Sequence, residues 1–361
     1  MRHDIAFWLG LLRFPKFGAV RMSKMMNAFP DMEQAFGASR EALVAAGIEP
    51  FIADGFLAER PTIDPARELA RAQAAGLRIV TRADGDYPPA LLTLFDPPAV
   101  LFVRGRLPDP AATLLAVVGS RHATPYGLEC TRGLCVPAAR AGVGVVSGLA
   151  YGIDAAAHEA ALEAGGYTLA VLGGGADEES VYPTAHRALA SRIVGAGGAV
   201  LSEYLPGTAS LKPHFPVRNR IIAGLCRATL VVEATEQSGS LITAKAALDA
   251  GRDVFAVPGP IASPLSSGPH ALLKNGALCA TSAADILEAL ALEPSAVSAP
   301  AYEPLDAEEA RVWRALSASP RHVDELVDAT GLPAPRVSSL LSRLELGGHA
   351  RDAGGLYYVR A

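Results

Sequence analysis

The residues with the most chemistry to offer lie between positions 119 and 240, in stretches that read as loops. In GSRHATPYG (119–127), Gly119 and Ser120 can bend tightly and present backbone N–H groups near a helix start, and Arg121 adds a guanidinium able to grip an anion through two N–H groups. In SGLAYGIDAAAH (147–158), Gly148 and Gly152 allow close approach of backbone to a ligand, Asp154 is expected to cap the following helix, and His158 to serve a structural role. Gly173 opens a three-glycine turn, with Tyr182 beyond it as a ring for stacking. Asp177, Glu178 and Glu179 would repel an anion there, so they are expected to face water. No acid occurs between Glu203 and Glu233, while Lys212, Arg218, Arg220 and Arg227 fall in that span beside His214, Phe215 and Asn219. Cations interleaved with a ring suit a nucleic-acid strand, phosphates on the cations and a base on the ring. Ser238, Gly239 and Ser240 form another anion-friendly helix start, and 258–277 reads as a long irregular loop over the site.

The elements that must hold these loops alternate regularly. LLAVVGS (114–120), VGVVSG (143–148), YTLAVLGGG (167–175), AVLSEY (199–204), ATLVVEA (228–234) and DVFAVPG (253–259) are apolar on both faces and separated by helical segments, RNRIIAGLC (218–226) among them. That pattern predicts an α/β fold, a mostly parallel sheet with helices on both faces, with ligands gathering beyond the carboxyl ends of the strands. Before it, 1–65 reads as a small helical domain built from IAFWLGLLRF, AVRMSKMMNAF, MEQAFG and SREALVAAG. The core is expected over 66–295, opening with helix 64–75, strand 77–81 and a proline-pinned turn into a strand ending near 105. A Pro, Ser and Ala-rich linker spans 296–304. In 305–361, three helices and a two-stranded tail follow winged-helix order, with Arg336, Ser338, Ser339 and Arg343 on the second helix of a helix-turn-helix. From 303 onward there are seven arginines against nine acids, so both protein contact and direct DNA contact stay open for this unit.

Composition narrows the function. The chain has 361 residues, half of them hydrophobic, enough for two or three domains; its formal net charge of -5 attracts no polyanion in bulk, so any such binding needs a local patch. The four cysteines form no CxxC pair and read as buried free thiols of a reducing compartment. The N-terminal MRHDIAFWLG is unlike a signal peptide and no 18-residue apolar run occurs, so the cytoplasm is expected, with no membrane association. The first strand is not followed by GxGxxG, GxxxxGK[ST] is absent, Ser120 and Ser147 lack a GxSxG setting, and no HExxH is present. No cofactor or metal is expected.

Taken together, VVGSRHATPYG, VVSGLAYGIDAAAHEAALEAGGYTLAVLGGG, the YP pair at 182–183, LSEY, HFPVRNRIIAGLCRATLVVEATEQSGSLITAKAALDAGRDVFAVPG and GPHALLKNGA closely resemble the DNA-processing protein DprA (Smf) family over nearly all of 87–279. The resemblance implies a SAM-like helical domain, a Rossmann-like core and a winged-helix-like domain. It implies a non-enzymatic protein that binds single-stranded DNA without strong sequence preference and dimerises through its core. Such a protein protects incoming DNA in natural transformation and helps load the RecA recombinase, displacing single-strand binding protein. Carried onto this chain, the DNA-binding residues are Arg121, Lys212, Arg218, Asn219 and Arg220, with Gly119, Ser120, Gly148, Gly152, Gly173, Ser238 and Gly239 shaping the pocket. His186 stands where many members place Asn, and Pro269-His270 departs from their usual pair. The alternative is a Rossmann-like nucleotide-processing enzyme, a nucleoside monophosphate phosphoribohydrolase, for which Glu203 and Glu233 are the candidate carboxylates.

Overall fold

Among the described residues, short β-branched and apolar runs assemble into one nine-stranded sheet, its interior strands buried on both faces and its two edge strands partly or wholly exposed. In chain order the strands are β1 (Arg78–Thr81), β2 (Val100–Gly105), β3 (Leu114–Val118), β4 (Gly144–Ser147), β5 (Thr168–Val171), β6 (Ala199–Ser202), β7 (Ala228–Val231), β8 (Asp253–Ala256) and β9 (Leu278–Cys279). In space they run β1-β2-β6-β5-β4-β3-β7-β8-β9. All pairs from β6 to β9 are parallel, while β1–β2 and β2–β6 are antiparallel. The chain winds outward from β3 to β6, then returns to place β7 on the other side of β3. That reversal opens a crevice at the carboxyl ends of β3 and β7, where ligands gather in such sheets. The expected α/β architecture, mostly parallel with helices on both faces, is the observed one.

The computed structural model describes residues 3–292, 304–317 and 319–360. Residues 1–295 and 296–361 form two compact units. In the first, helices α1 (Ile5–Arg13), α2 (Ala19–Ala28), α3 (Met32–Gly37), α4 (Arg40–Ala45), α5 (Pro50–Glu59) and α6 (Pro65–Ala74) precede the sheet. They share a continuous core with it: Trp8, Phe17, Met22 and Phe56 join the same buried cluster as Phe102, Ala170 and Val200. Helices α7 (Pro125–Arg140), α8 (Ile153–Glu163), α9 (Arg187–Gly195), α10 (His214–Leu225), α11 (Gly239–Asp249), α12 (Ser267–Lys274) and α13 (Ala283–Ala289) connect the strands. Alternation sorts the two faces. Leu115, Val117, Val145 and Leu230 pack with α7, α8 and α13, whereas Ala116, Val118, Val146 and Val231 pack with α10 and α11.

Three helices depart from the sequence reading: α5 occupies 50–59, where no helix was expected, and α10 and α12 differ in extent. Helix α10 begins at His214, four residues before the expected 218, because Pro216 sits in its first turn, where no backbone N–H is needed. Helix α12 occupies part of the expected irregular loop, with Pro269 likewise in its first turn. All four cysteines are free, but only Cys135 and Cys226 are buried; Cys279 is exposed on β9, which corrects the expectation of four buried thiols. Among the described residues no helix is long and apolar enough to cross a membrane.

The second unit contains α14 (Ala307–Ala315), β10 (Arg321–His322), α15 (Val323–Thr330), α16 (Ala334–Leu346), β11 (Ala350–Gly354) and β12 (Tyr357–Arg360), with strand order β10-β12-β11. This is the expected winged-helix order, with an additional short strand closing the wing. The linker expected at 296–304 lies, apart from Pro304, outside the described residues.

Candidate nucleic-acid interface

The loop after β3 is sewn into the crevice by its backbone. Ser120 N–H donates to Glu233 O at 2.6 Å, and Ser120 O accepts from Ile153 N–H at 3.1 Å, tying the ends of β3 and β7 to the start of α8. Gly119 and Gly152 permit this closeness. A Cβ on Gly119 would stand 2.5 Å from Ile153 Cγ1, and Gly152 has φ +73, where a Cβ would collide with the Ser120 carbonyl oxygen. The loop so held projects Arg121 into solvent, its guanidinium 5.1 Å from the centre of the Phe215 ring.

Around this contact lies a pocket of about 390 Å³, whose walls include Gly119, Arg121, Lys212, Phe215, Arg218, Asn219, Ser238 and Gly239. The structure therefore brings together residues that the sequence places more than a hundred positions apart. Lys212 is exposed at the rim. Asn219 is buried and its Nδ2 donates to Gly239 O at 3.1 Å, pinning α10 to the start of α11. Ser238 caps α11, its Oγ accepting from Ser240 N–H at 3.3 Å. Gly173 carries the carbonyl that accepts from His214 Nδ1 at 2.9 Å, which seats the first turn of α10. Open space surrounds the position of a Cβ on Gly239, so packing does not dictate glycine there.

Arg218 is placed differently from Arg121 and Lys212. It is 4% exposed, and its Nη1 donates to Gly148 O at 2.8 Å and to Val171 O. Burial lowers its pKa to about 10, opposed by the charge of Asp154. Asp154 does not cap α8 as expected; its Oδ2 accepts from Gly148 N–H at 3.1 Å and Ala150 N–H at 3.3 Å, and burial raises its pKa. Arg218 thus forms the floor of the pocket and holds a loop, whereas the exposed cations stand at its mouth.

Arg220 leaves the group altogether. Two residues along a helix turn a side chain about 200°, so Arg220 points away from Arg218. Its Nε donates to Asp96 Oδ2 at 2.9 Å and its Nη2 to Glu203 Oε2 at 2.7 Å, at the wall of a separate cavity of about 720 Å³. The span free of acids in sequence is not free of them in space. Arg227 immediately precedes β7 and so belongs to the opposite, amino-terminal end of the strands.

The other acids are likewise committed. Glu233 accepts from Thr124 N–H at 2.9 Å and from Thr124 Oγ1 at 2.5 Å, at the start of α7. Burial raises the pKa of Glu203 against the pull of Arg220. Asp177 is buried rather than solvated: its Oδ1 accepts from Gly207 N–H at 2.8 Å and its Oδ2 from Ser180 Oγ at 2.8 Å. Only its neighbours Glu178 and Glu179 face water. His158 is structural as expected, its buried Nδ1 lying 2.7 Å from Thr168 Oγ1. One ring was missed by sequence reasoning. Tyr151, inside a glycine turn, stands with Tyr182 and Phe215 around a small cleft beside the pocket, and the only signal for it was an aromatic between two glycines. In the winged-helix unit, Arg336 Nε lies 2.6 Å from Glu308, while Arg343 reaches Glu309 at 2.7 Å and Asp306 at 3.0 Å. Both cations of α16 are engaged within the domain.

Fold and site define a Rossmann-like α/β protein with a pocket at its strand ends bordered by the exposed cations Arg121 and Lys212, joined in sequence to a winged-helix domain. The chain belongs to the family described as DNA recombination-mediator protein A, whose model matches residues 78–291; the DprA winged helix domain matches residues 296–355. Protein Smf of Escherichia coli is 43% identical over 279 residues, covering 75% of this chain and 74% of that protein. The DNA processing protein DprA of Streptococcus pneumoniae is 48% identical over 204 residues, covering 56% of this chain and 71% of that protein. Among solved structures, DprA from S. pneumoniae superposes with a TM-score of 0.68 at 36% identity, covering 78% of this chain and 97% of its own. DNA processing protein A from Helicobacter pylori, described for its single-stranded DNA binding mode, superposes with a TM-score of 0.52 at 27% identity, covering 60% and 97%. The family resemblance read from the motifs is borne out.

Proposed function

We propose that this chain is a non-enzymatic single-stranded DNA binding protein whose strand path crosses the mouth of the β3–β7 pocket. The observation that carries the proposal is the side-by-side placement of the Arg121 guanidinium and the Phe215 ring, with Lys212 on the same rim. Exposed cations meet phosphates, and the ring takes a base whatever its identity, so binding tolerates any sequence. Buried Arg218 and Asn219 shape the floor, and Arg220 acts by fixing α10. Single strands flex into such a pocket more readily than duplex does. The single-stranded DNA binding described for the H. pylori relative supports the same reading.

The nucleotide-processing alternative loses ground because Glu203 and Glu233, its two candidate carboxylates, are occupied by Arg220 and Thr124. The roles in natural transformation, in loading RecA and in displacing single-strand binding protein are part of this proposal and rest on the family, as does a cytoplasmic setting. A homodimer through the core is likewise part of this proposal and rests on the family. We further propose the domain division 1–65, 66–295 and 305–361, with the DNA-contacting surface in the second. The test is a titration of labelled oligothymidylate and of duplex at two salt concentrations, beside an assay for nucleotide turnover. Salt-sensitive preference for the single strand supports the reading; turnover without binding overturns it.

A further inference from the structure

Tyr151 ends a loop that is tied down at every residue before it. Gly148 is held from both sides: its N–H donates to Asp154 Oδ2 at 3.1 Å, and its carbonyl accepts from Arg218 Nη1 at 2.8 Å. A side chain on Gly148 would collide with that guanidinium. Leu149 is fully buried at φ +58, a conformation non-glycine residues seldom adopt, and its carbonyl accepts from His186 Nδ1 at 2.8 Å. Ala150 N–H donates to the same Asp154 oxygen at 3.3 Å. The His186 ring then meets Tyr151 edge-on at 4.8 Å. After all this anchoring, Tyr151 is left 48% exposed. A large ring held rigidly and left half uncovered has given up its freedom in advance, which is what a binding surface requires.

What the ring faces identifies the ligand. Tyr151 borders a narrow cleft with Arg121, Tyr182, Pro183, Phe215 and Arg218, next to the main pocket. Tyr182 is itself 50% exposed and lies 6.1 Å from Phe215, centre to centre. The cleft therefore offers several π faces beside one exposed guanidinium. This is the chemistry of a nucleobase adjoining its phosphate, and the cleft shares Arg121, Phe215 and Arg218 with the main pocket.

We propose that the exposed face of Tyr151 stacks a second nucleobase of the bound strand across the mouth of this cleft, whose own volume of about 20 Å³ admits no base, and that buried Asp154 and Arg218 are the positioning residues that hold the ring there. The inference rests on the single-strand reading above. Its test compares full-length wild type and variants on oligothymidylate and on an abasic phosphodiester strand of equal length. Tyr151→Ala is expected to weaken binding to oligothymidylate about 5- to 150-fold, as for one lost stacked base. It should leave binding to the abasic strand and the salt dependence unchanged, and Tyr151→Phe should retain wild-type affinity. Asp154→Ala should lose the same base-dependent part, with rescue by Asp154→Asn, which keeps an acceptor for the two N–H groups; a merely structural role would weaken both strands alike. Should Asp154→Ala not fold, the Tyr151 comparison still decides. Wild-type affinity in Tyr151→Ala, or an equal loss on both strands, overturns the inference. Arg121→Ala run in parallel separates the two readings: if it weakens binding while Tyr151→Ala does not, the strand path stands and only the second stacking position fails.

Discussion

Arg121 and Arg218 line one pocket, yet the structure assigns them different physical work, and a salt titration separates them. Arg121 is exposed, so in contact with a phosphate it displaces a condensed counterion. Each such contact to a single strand contributes about 0.7 to the slope of log K against log salt. Arg121→Ala should therefore flatten the slope by about 0.7, so that a rise from about 50 to about 200 mM salt costs the variant about 2.6-fold less affinity than wild type. Arg218 is buried with its Nη1 on two carbonyls, so it releases no counterion. Arg218→Ala strips those carbonyls of a donor and leaves Asp154 without the nearby positive charge, a loss of stability on the order of 3 kcal/mol. Its binding should weaken through the distorted loop while the slope stays at the wild-type value. Fluorescence anisotropy of labelled oligothymidylate across a salt series, with thermal melting of each variant, reads both quantities. An unchanged slope in Arg121→Ala, or an equal flattening in Arg218→Ala, refutes the division of labour.

Other consequences are open to direct measurement. Phe215→Ala should cost about 1–3 kcal/mol of single-strand affinity at constant salt slope, through loss of the stacking face. Arg220→Ala should lower the melting temperature, because it deprives Asp96 and Glu203 of their shared guanidinium, but leave the salt slope intact; a flattened slope would return Arg220 to the strand path. Gly152→Ala should destabilise the chain by more than about 1 kcal/mol, since φ +73 and the Ser120 carbonyl both exclude a side chain, whereas Gly239→Ala should be tolerated. His158 is held neutral by burial, its pKa lowered to about 3 from an ordinary 6.5. The unfolded chain thus takes up a proton that the native one refuses, so the stability due to neutral His158 is whole above pH 6.5 and falls by about 1.4 kcal/mol per pH unit below it, until about pH 3. Denaturant unfolding at two mildly acidic pH values, with and without His158→Gln, measures that slope.

Much of this was legible in the sequence because local pattern and tertiary role coincide. Doubly apolar strands such as Leu114–Val118 can only be interior, and glycines at 119 and 152 sit where loop and helix must touch. Helices α10 and α12 share a feature that a helix at 218–226 and an irregular loop at 258–277 did not anticipate: Pro216 and Pro269 lie in a first turn, which has no use for the N–H that proline lacks. Arg220 was grouped with the site because sequence distance hid its partners. Asp96 lies 124 positions away, and the rotation of α10 decides which cations share a face. Asp177 was expected in water for a similar reason, as the backbone N–H of Gly207 that engages it comes from the far side of β6. Arg218 was correctly placed in the pocket, but nothing in FPVRNR distinguishes an arginine that meets solvent from one that meets carbonyls.

Exposed cations and rings at the β3–β7 crevice are proposed to bind a single DNA strand. The most direct test is the affinity of the full-length chain for oligothymidylate and for a duplex of equal length, each followed across a salt series. Tighter binding to the single strand is expected, with a linear fall of log K with log salt that Arg121→Ala flattens. Equal or tighter binding to duplex, or single-strand affinity indifferent to salt and to Arg121, would contradict the proposal.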